Sequence, residues 1–552
     1  MSRYGTRASC SPSPEVAMVQ RFPSRVLRLS SLLVALLVPL AGSALPVRAT
    51  AASAVLAGVP TTGFRFVDIT AGDGTVLKAN YISPTAPGPH PAIVFISSWG
   101  LNDLEYLAQA GALAQRGYVV LSYTPRGFWA SGGGIDTAGP ADIADTSRVI
   151  DWLLANTQAD GSRIGLAGVS YGAGISLIAS GFDSRVKAVA ALSGWTDLVA
   201  SLFGGETRRP QAVALLDLAS RLLGRPSPEL RTAVDNYFAN RDIEGIKAWG
   251  RVRSAATYVD RINANAPAIL MANAYGDSLF PPNQLTDFYS QLTGPRRLEL
   301  APGDHAVVEA TGLLGLPNHV WTSVTRWMDQ YVAGVNTGIA SEPPVVLRTY
   351  DGDVEGYTSW ADVSSGTQRY GLGAIRLLDG TGTLGGTPST SGARTVWAGY
   401  DTTADAGVAL LTNGLQALTG IPPTVWLPGV NRLSAGVWTS AYASSPIAIR
   451  GVATLRLRIT PSTASGTVVA YLYDVFGDSG GLITHVPLSW HGATPGAPLD
   501  LDVVFPATAY DVPAWHRLAL VVDTEDPLYL DANSTGAPLS LGAPSWLDLP
   551  LR

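Results

Sequence analysis

From about residue 60 to 335 the chain alternates short apolar runs with amphipathic ones. "PAIVFIS" (residues 91–97) and "YVVLSY" (118–123) are β-branched and apolar throughout, the pattern of strands buried on both faces. Between them "EYLAQAGALAQRG" (105–117) has helical spacing and a glycine stop. The alternation continues through a helix over 141–157, a strand at "RIGLAG", a helix from Tyr171 and a strand at "RVKAVAAL". It resumes at "PAILMANA" (267–274), a helix, "RRLELAP" and a last helix near 319–335. Such β-α-β order predicts a mostly parallel sheet with helices on both faces. The strandless gap at 196–265 predicts a helical cap over the carboxyl edge of that sheet. Beyond Pro343 the period changes. "VATLRLRIT" (452–460) and "TVVAYLYDV" (467–475), with Gly/Pro turns between such runs, read as antiparallel strands of a jelly-roll β-sandwich. The expected units are therefore 60–340, with the cap at about 196–265, and 345–552.

A length of 552 residues supports this division, because one core rarely grows so large. With 46% hydrophobic and 14% charged residues there is ample material for burial. The net charge of -6 supplies no basic footprint for nucleic acid. Residues 1–54 read as a leader. Arg21, Arg25 and Arg28 precede an apolar run (29–45) that is followed by small residues, the pattern of a secretory signal peptide. The run is shorter than the roughly 20 residues of a membrane span and is interrupted by Pro39; Met18 is an alternative start. The single cysteine, Cys10, falls in this leader, so a secreted, cysteine-free mature chain is expected, without disulfides or thiolate-bound metal. No metal-ligand cluster is visible, and no cofactor is expected.

Two serines compete as nucleophile. "GDSGG" (477–481) is the signature around the serine of chymotrypsin-like proteases, and "GVSYG" (168–172) fits G-x-S-x-G. With 59 glycines a chance match to either is ordinary, so context decides. Ser479 lies between two predicted strands, where Asp-Ser-Gly-Gly is turn chemistry, and no histidine occurs between His319 and Ser479. Ser170 lies between a strand and a helix. A sharp turn there exposes the hydroxyl, Gly168 and Gly172 remove colliding side chains, and the Tyr171 N–H points at an oxyanion.

The serine needs a histidine base and an acid to orient it. Of six histidines, three lie in the C-terminal third, His90 precedes the nucleophile in a Pro/Gly loop, and His319 starts a helix. His305, in "LELAPGDHA", follows a strand end and is the expected base. Asp277, in "LMANAYGDSLFPP", follows the strand before it; Asp304 is a weaker rival, being adjacent to His305. The order Ser, Asp, His is that of α/β-hydrolases.

"GVSYGAG", "GDSLFPP", "GDHA", "YTPRGFWASGGG" (123–134) and the late run "YASSPIAIRGVATLRLRITPSTASGTVVAYLYDV" together resemble the Xaa-Pro dipeptidyl-peptidase and cocaine esterase family, from about Phe64 to the C-terminus. The resemblance implies an α/β-hydrolase core with a helical cap, followed by a C-terminal all-β jelly-roll sandwich packed on the core. It implies Ser170, Asp277 and His305 as triad and the Tyr171 N–H as an oxyanion donor. Family members usually place a tyrosine hydroxyl as the second donor; the corresponding loop here is "ISSWGLND", where Trp99 offers an indole or a backbone N–H.

Substrate choice stays open in the sequence. An acyl esterase needs an apolar pocket, whereas an Xaa-Pro dipeptidyl-peptidase also needs a carboxylate for the substrate ammonium. The cap offers Glu206, Asp217, Glu229 and Asp235, and nothing selects one. The expected partner is a small ester or amide or a short peptide. Trp426, Trp438, Trp490 and Trp515 raise the further possibility that the jelly roll is a carbohydrate-binding module.

Overall fold

A computed structural model describes residues 61–376 and 378–552; the expected leader and Cys10 lie outside the described residues. The first half builds a ten-stranded sheet from β1 (Thr62–Thr70), β2 (Val76–Pro84), β3 (His90–Ile96), β4 (Val119–Tyr123), β5 (Ala159–Val169), β6 (Val186–Leu192), β7 (Ala268–Ala274), β8 (Arg296–Ala301), β9 (Val345–Arg348) and β10 (Val354–Tyr357). The order is β1-β2-β4-β3-β5-β6-β7-β8-β9-β10. The seven strands from β4 to β9 are parallel, and antiparallel partners finish both ends.

Helices cover both faces: α1 (Leu107–Gln115), α2 (Pro140–Asn156) and α3 (Tyr171–Ser180) precede β6. The strand period sorts the core. Val94 and Ile96 pack with α2 and α3, whereas Ile93 and Phe95 face the opposite layer containing Val320 and Trp327. This explains why β3 and β7 read as unbroken apolar runs: each face has a helix layer to fill.

Between β6 and β7 the chain forms only helices: α4 (Leu198–Leu202), α5 (Pro210–Leu223), α6 (Pro228–Ala239), α7 (Ile243–Val252) and α8 (Val259–Asn265). Local chemistry starts two of them, since the Asp197 carboxylate accepts from the Ala200 N–H and the Ser227 hydroxyl from the Leu230 N–H. The later helices are α9 (Asn283–Gln291), α10 (Val307–Leu313) and α11 (His319–Met328). Among the described residues no helix is long and apolar enough to cross a membrane.

β9 pairs with β8 and β10 with β9, so both complete the first sheet although they follow the composition shift at Pro343. The remainder is a sandwich of a seven-stranded and a six-stranded sheet. The strand Thr454–Pro461 alternates buried and partly exposed residues, but Gly466–Phe476 is buried on both sides. Val468, Ala470 and Leu472 fill the sandwich interior, and Val469, Tyr471 and Tyr473 are covered by the 404–430 segment.

The sandwich is fastened to the first half by polar contacts. Asn283 donates to Phe505 O at 2.9 Å and accepts from Ala507 N–H at 2.7 Å, while Asn413 donates to Gly276 O at 2.7 Å. The Leu410 N–H donates to the Ser278 hydroxyl at 3.0 Å. Two of these contacts grip the turn that follows β7.

Candidate active site

That turn, the β5–α3 junction and the loop after β8 converge on one point. At the junction Ser170 has φ 56° and ψ -113°, a left-handed conformation that a serine holds only under constraint. The constraint is close packing. A Cβ on Gly172 would fall on the Ile96 carbonyl oxygen, and one on Gly168 would stand 2.6 Å from the Gly172 carbonyl carbon. Only glycine fits at either position, and the tight turn lifts the Ser170 hydroxyl out of the sheet at the start of α3.

His305 Nε2 lies 2.9 Å from Ser170 Oγ, and His305 Nδ1 lies 3.0 Å from Asp277 Oδ2. Asp277 Oδ1 accepts from the N–H groups of Leu279 and Phe280 at 2.9 and 2.7 Å, which fixes the carboxylate plane. Burial disfavours the imidazolium, but the Asp277 charge, with Asp304 and Glu309 behind it, outweighs burial and holds His305 above its ordinary value of 6.5. Asp304 itself faces away: one oxygen accepts from Ser278 N–H, the Ser278 hydroxyl and His305 N–H. It shapes the turn and does not reach the imidazole.

The Tyr171 N–H stands at the first position of α3, and neither it nor the Trp99 N–H donates to another backbone or side-chain group among the described residues. The Trp99 indole is otherwise engaged: its N–H donates to Leu216 O at 2.9 Å, 117 residues away in the cap. This corrects the indole alternative and leaves the backbone N–H as the donor Trp99 can offer. The ring instead packs edge-on against Phe128 and Tyr171 and walls the cavity.

Three carboxyls, Asp142 and Glu309 buried and Glu105 half-buried, support this geometry, none of which sequence reasoning singled out. Glu105 accepts from Ser98 N–H at 2.7 Å and lies 2.6 Å from Ser98 Oγ, beside Trp99. Burial raises Glu105 to about 7. A protonated carboxyl suits the site, because the Ser98 hydroxyl has one hydrogen and lies 3.0 Å from Val169 O as well. Asp142, raised by burial to about 8, takes the Tyr171 hydroxyl and the Ala138 N–H. Glu309 contacts Ser193 Oγ at 2.8 Å, and Ser193 in turn accepts from Ala306 N–H next to His305. A signal existed for Asp142: it shares a helical face with Thr146, Val149 and Leu153, where a carboxylate is out of place.

Over Ser170 the cap closes a pocket of about 910 Å³, its mouth included. Leu198, Val213, Leu230, Val234, Tyr237 and Phe280 dominate its wall. Its charged lining residues are Asp217 and Lys247. Both Asp217 oxygens lie 2.9 Å from Arg221 Nε, and Lys247 Nζ contacts Glu206 at 2.8 Å and Glu244 at 3.2 Å. Glu229 and Asp235 are not among the lining residues.

The second serine is elsewhere. Ser479 is exposed, opposite Phe476 across the Gly477-Asp478 turn, with Gly477 at φ 61°. The sandwich histidines are engaged with other groups, His485 with Tyr529, His491 with Ser465 and His516 with Asp474. Trp438 and Trp490 belong to the sandwich core, whereas Trp426 and Trp515 are 65% and 72% exposed. Among the described residues no three His, Cys, Asp or Glu side chains are grouped to hold a metal.

Comparison with known proteins agrees with this architecture. Residues 73–307 match the model of the X-Pro dipeptidyl-peptidase (S15) family, and residues 337–545 match that of the X-Pro dipeptidyl-peptidase C-terminal non-catalytic domain. A cocaine esterase from a Rhodococcus species is 24% identical over 476 residues, 74% of this chain and 79% of the esterase. Among solved structures, an aminopeptidase from a marine sediment Thaumarchaeota archaeon has a TM-score of 0.68 at 14% identity, over 88% of this chain and 96% of that one. An α-amino acid ester hydrolase has a TM-score of 0.66 at 16% identity, over 93% of this chain and all of the other.

Proposed function

Because the chain belongs to the X-Pro dipeptidyl-peptidase (S15) and cocaine esterase family of α/β-hydrolases, and is thereby a serine hydrolase, we propose that it is an acyl esterase that seats an apolar acyl group under its cap. The observation that carries this reading is the pocket wall. Its one carboxylate, Asp217, is already committed to Arg221, so no unpaired anion lines the pocket to hold the ammonium of a peptide N-terminus. An apolar acyl chain gains from desolvation there and leaves no charge unmatched.

In this reading His305 Nε2 takes the Ser170 proton as Oγ attacks the ester carbonyl, and Asp277 holds the resulting imidazolium. The oxyanion that forms is met by the Tyr171 and Trp99 N–H groups. The imidazolium then returns its proton to the departing alcohol, leaving Ser170 acylated. Water, deprotonated by the same imidazole, releases the acid. Export is part of the proposal and rests on the leader pattern alone; the chain recovered from culture medium would begin after the small-residue site at 49–51 or that at 52–54.

The test compares p-nitrophenyl butyrate and hexanoate with Gly-Pro-p-nitroanilide. Esters are expected to have the higher kcat/KM by several orders of magnitude. Preferential release of the dipeptide would replace this reading with that of an exopeptidase.

A further inference from the structure

A second cavity, of about 540 Å³, lies where the cap, the turn after β7 and the sandwich meet. Arg209, immediately before α5, lines it together with Asp277, Ser278, Thr484, His485 and Thr508. Arg209 is 8% exposed. The ion pairs of the cap, Asp217–Arg221, Glu206–Lys247 and Asp136–Arg253, leave it out, and its Nε is buried without a hydrogen-bond partner among the described residues. Its guanidinium lies 5.3 Å from the centroid of the Tyr529 ring and pairs with the hydroxyl of the same residue, a neutral partner.

A guanidinium keeps its proton when buried, so a buried arginine calls for a counter-charge. No carboxylate pairs with it. The single carboxylate of the wall, Asp277, is engaged by Leu279 N–H, Phe280 N–H and His305 and forms no ion pair with Arg209. The other groups are neutral. Burial, followed by the Arg209 charge, pushes His485 down to about 3, so its imidazole is uncharged at physiological pH. The Tyr529 hydroxyl and His485 Nδ1 lie 2.9 Å apart and satisfy each other. Thr508 Oγ1 and the Tyr275 hydroxyl, both on the same wall, are buried with no hydrogen-bond partner. The cavity therefore holds an arginine outside any ion pair and, in Arg209 Nε, the Tyr275 hydroxyl and Thr508 Oγ1, buried groups able to donate that have no partner among the described residues.

We propose that this junction cavity is an oxyanion site, taking a carboxylate or phosphate group on the Arg209 guanidinium. Planar or tetrahedral oxyanions match the guanidinium fork and supply the acceptors the wall lacks. A bound anion would join the three parts that meet there: Arg209 from the cap, Tyr275 from the turn after β7, and Thr508 from the sandwich. Its effect is on docking of these parts, so its test requires no turnover and stands apart from the esterase reading.

The experiment titrates the full chain with sodium phosphate and, separately, sodium acetate against chloride at constant ionic strength, by calorimetry and by thermal denaturation. The expected result is saturable one-site binding with a Tm rise that follows occupancy. Binding is expected to weaken at least tenfold in Arg209→Gln. Saturation by phosphate alone identifies a phosphoryl ligand; saturation by acetate alone identifies a carboxylate. Arg209→Lys, which keeps the charge and the fold but lacks the fork, is expected to bind severalfold more weakly and serves if the glutamine variant does not fold. Absence of saturable binding by the wild type, or equal binding by either variant, would overturn the proposal.

Discussion

Replacing Asp277 by Asn tests the proposed triad where the structure makes a directional statement. Two backbone N–H groups, those of Leu279 and Phe280, point at Oδ1 and demand an acceptor there. An asparagine will therefore place its oxygen on that side and its NH2 toward His305 Nδ1, 3.0 Å away. The imidazole must then accept at Nδ1 and carry its proton on Nε2, the nitrogen facing Ser170. That tautomer cannot take the serine proton. The variant also loses the charge that stabilises the imidazolium. For charge centres about 4 Å apart at an effective dielectric near 20 the attraction is about 4 kcal/mol, or roughly a thousandfold in rate at 1.36 kcal/mol per decade. With the tautomer penalty the fall in kcat should be on the order of 10⁴-fold. The assay is p-nitrophenyl butyrate hydrolysis across pH, with Tm measured alongside; the backbone bonds to position 277 survive, so Tm should change little. The acid limb of kcat/KM should also move to lower pH, because the carboxylate that raises His305 is gone while the burial that lowers it remains. A loss below tenfold, or an unmoved acid limb, would refute the reasoning.

In the wild type the acid limb should have its midpoint above 6.5, since His305 is held above that value; a midpoint at or below 6 on a steady-state profile would contradict the Asp277 pairing. A fluorophosphonate probe should label the wild type and Ser479→Ala alike, on the "GVSYGAG" peptide, and leave Ser170→Ala unlabelled; label on the hairpin would restore Ser479. Gly172→Ala should destabilise by about 3 kcal/mol through collision with the Ile96 carbonyl, seen as a fall in denaturation midpoint. Stability should decline between pH 5 and pH 8. Glu105, Glu309 and Asp142 have folded values of about 7, 7 and 8, above those of the unfolded chain, so the stability they contribute is complete below their unfolded values and is lost as pH rises through the folded ones. A urea midpoint rising steadily over that interval would show these carboxyls to be charged in the folded protein.

The residues that could be found in the sequence are those whose role is local. Ser170 is announced by the glycines its turn requires, and Asp277 and His305 by their places after consecutive strands, because each is positioned by the element that carries it. What could not be read depends on distant partners. The Trp99 indole looks like an oxyanion donor until Leu216, in a cap helix, takes its N–H and leaves only the backbone N–H for that role. Glu105 and Glu309 look like solvated helix carboxylates until their elements pack against Ser98 and Ser193. Arg209 carries no signal at all, since its isolation is made jointly by the cap and the sandwich. The late strands β9 and β10 were hidden for a different reason: their composition resembles the sandwich that follows, while their hydrogen bonds belong to the sheet that precedes them.

Those two strands decide where the molecule can be divided. β9 occupies the open side of β8, pairing Val345 with Leu298 and Leu347 with Leu300, and the Leu298 N–H donates to Pro344 O at 2.8 Å. A chain cut at residue 340 would leave that buried, leucine-bearing strand with a free row of donors and acceptors, a template for pairing with another copy of itself. A cut after Tyr357 would end instead on β10, four residues long and carrying Glu355, the kind of short charged edge that resists such pairing. Gel filtration of the two fragments should therefore show ladders of aggregate for the first and a smaller fraction for the second, although they differ by fewer than twenty residues. The joint between the enzyme's halves is a shared sheet edge, and the segment that matches the C-terminal domain family, residues 337–545, itself supplies the two strands that close it.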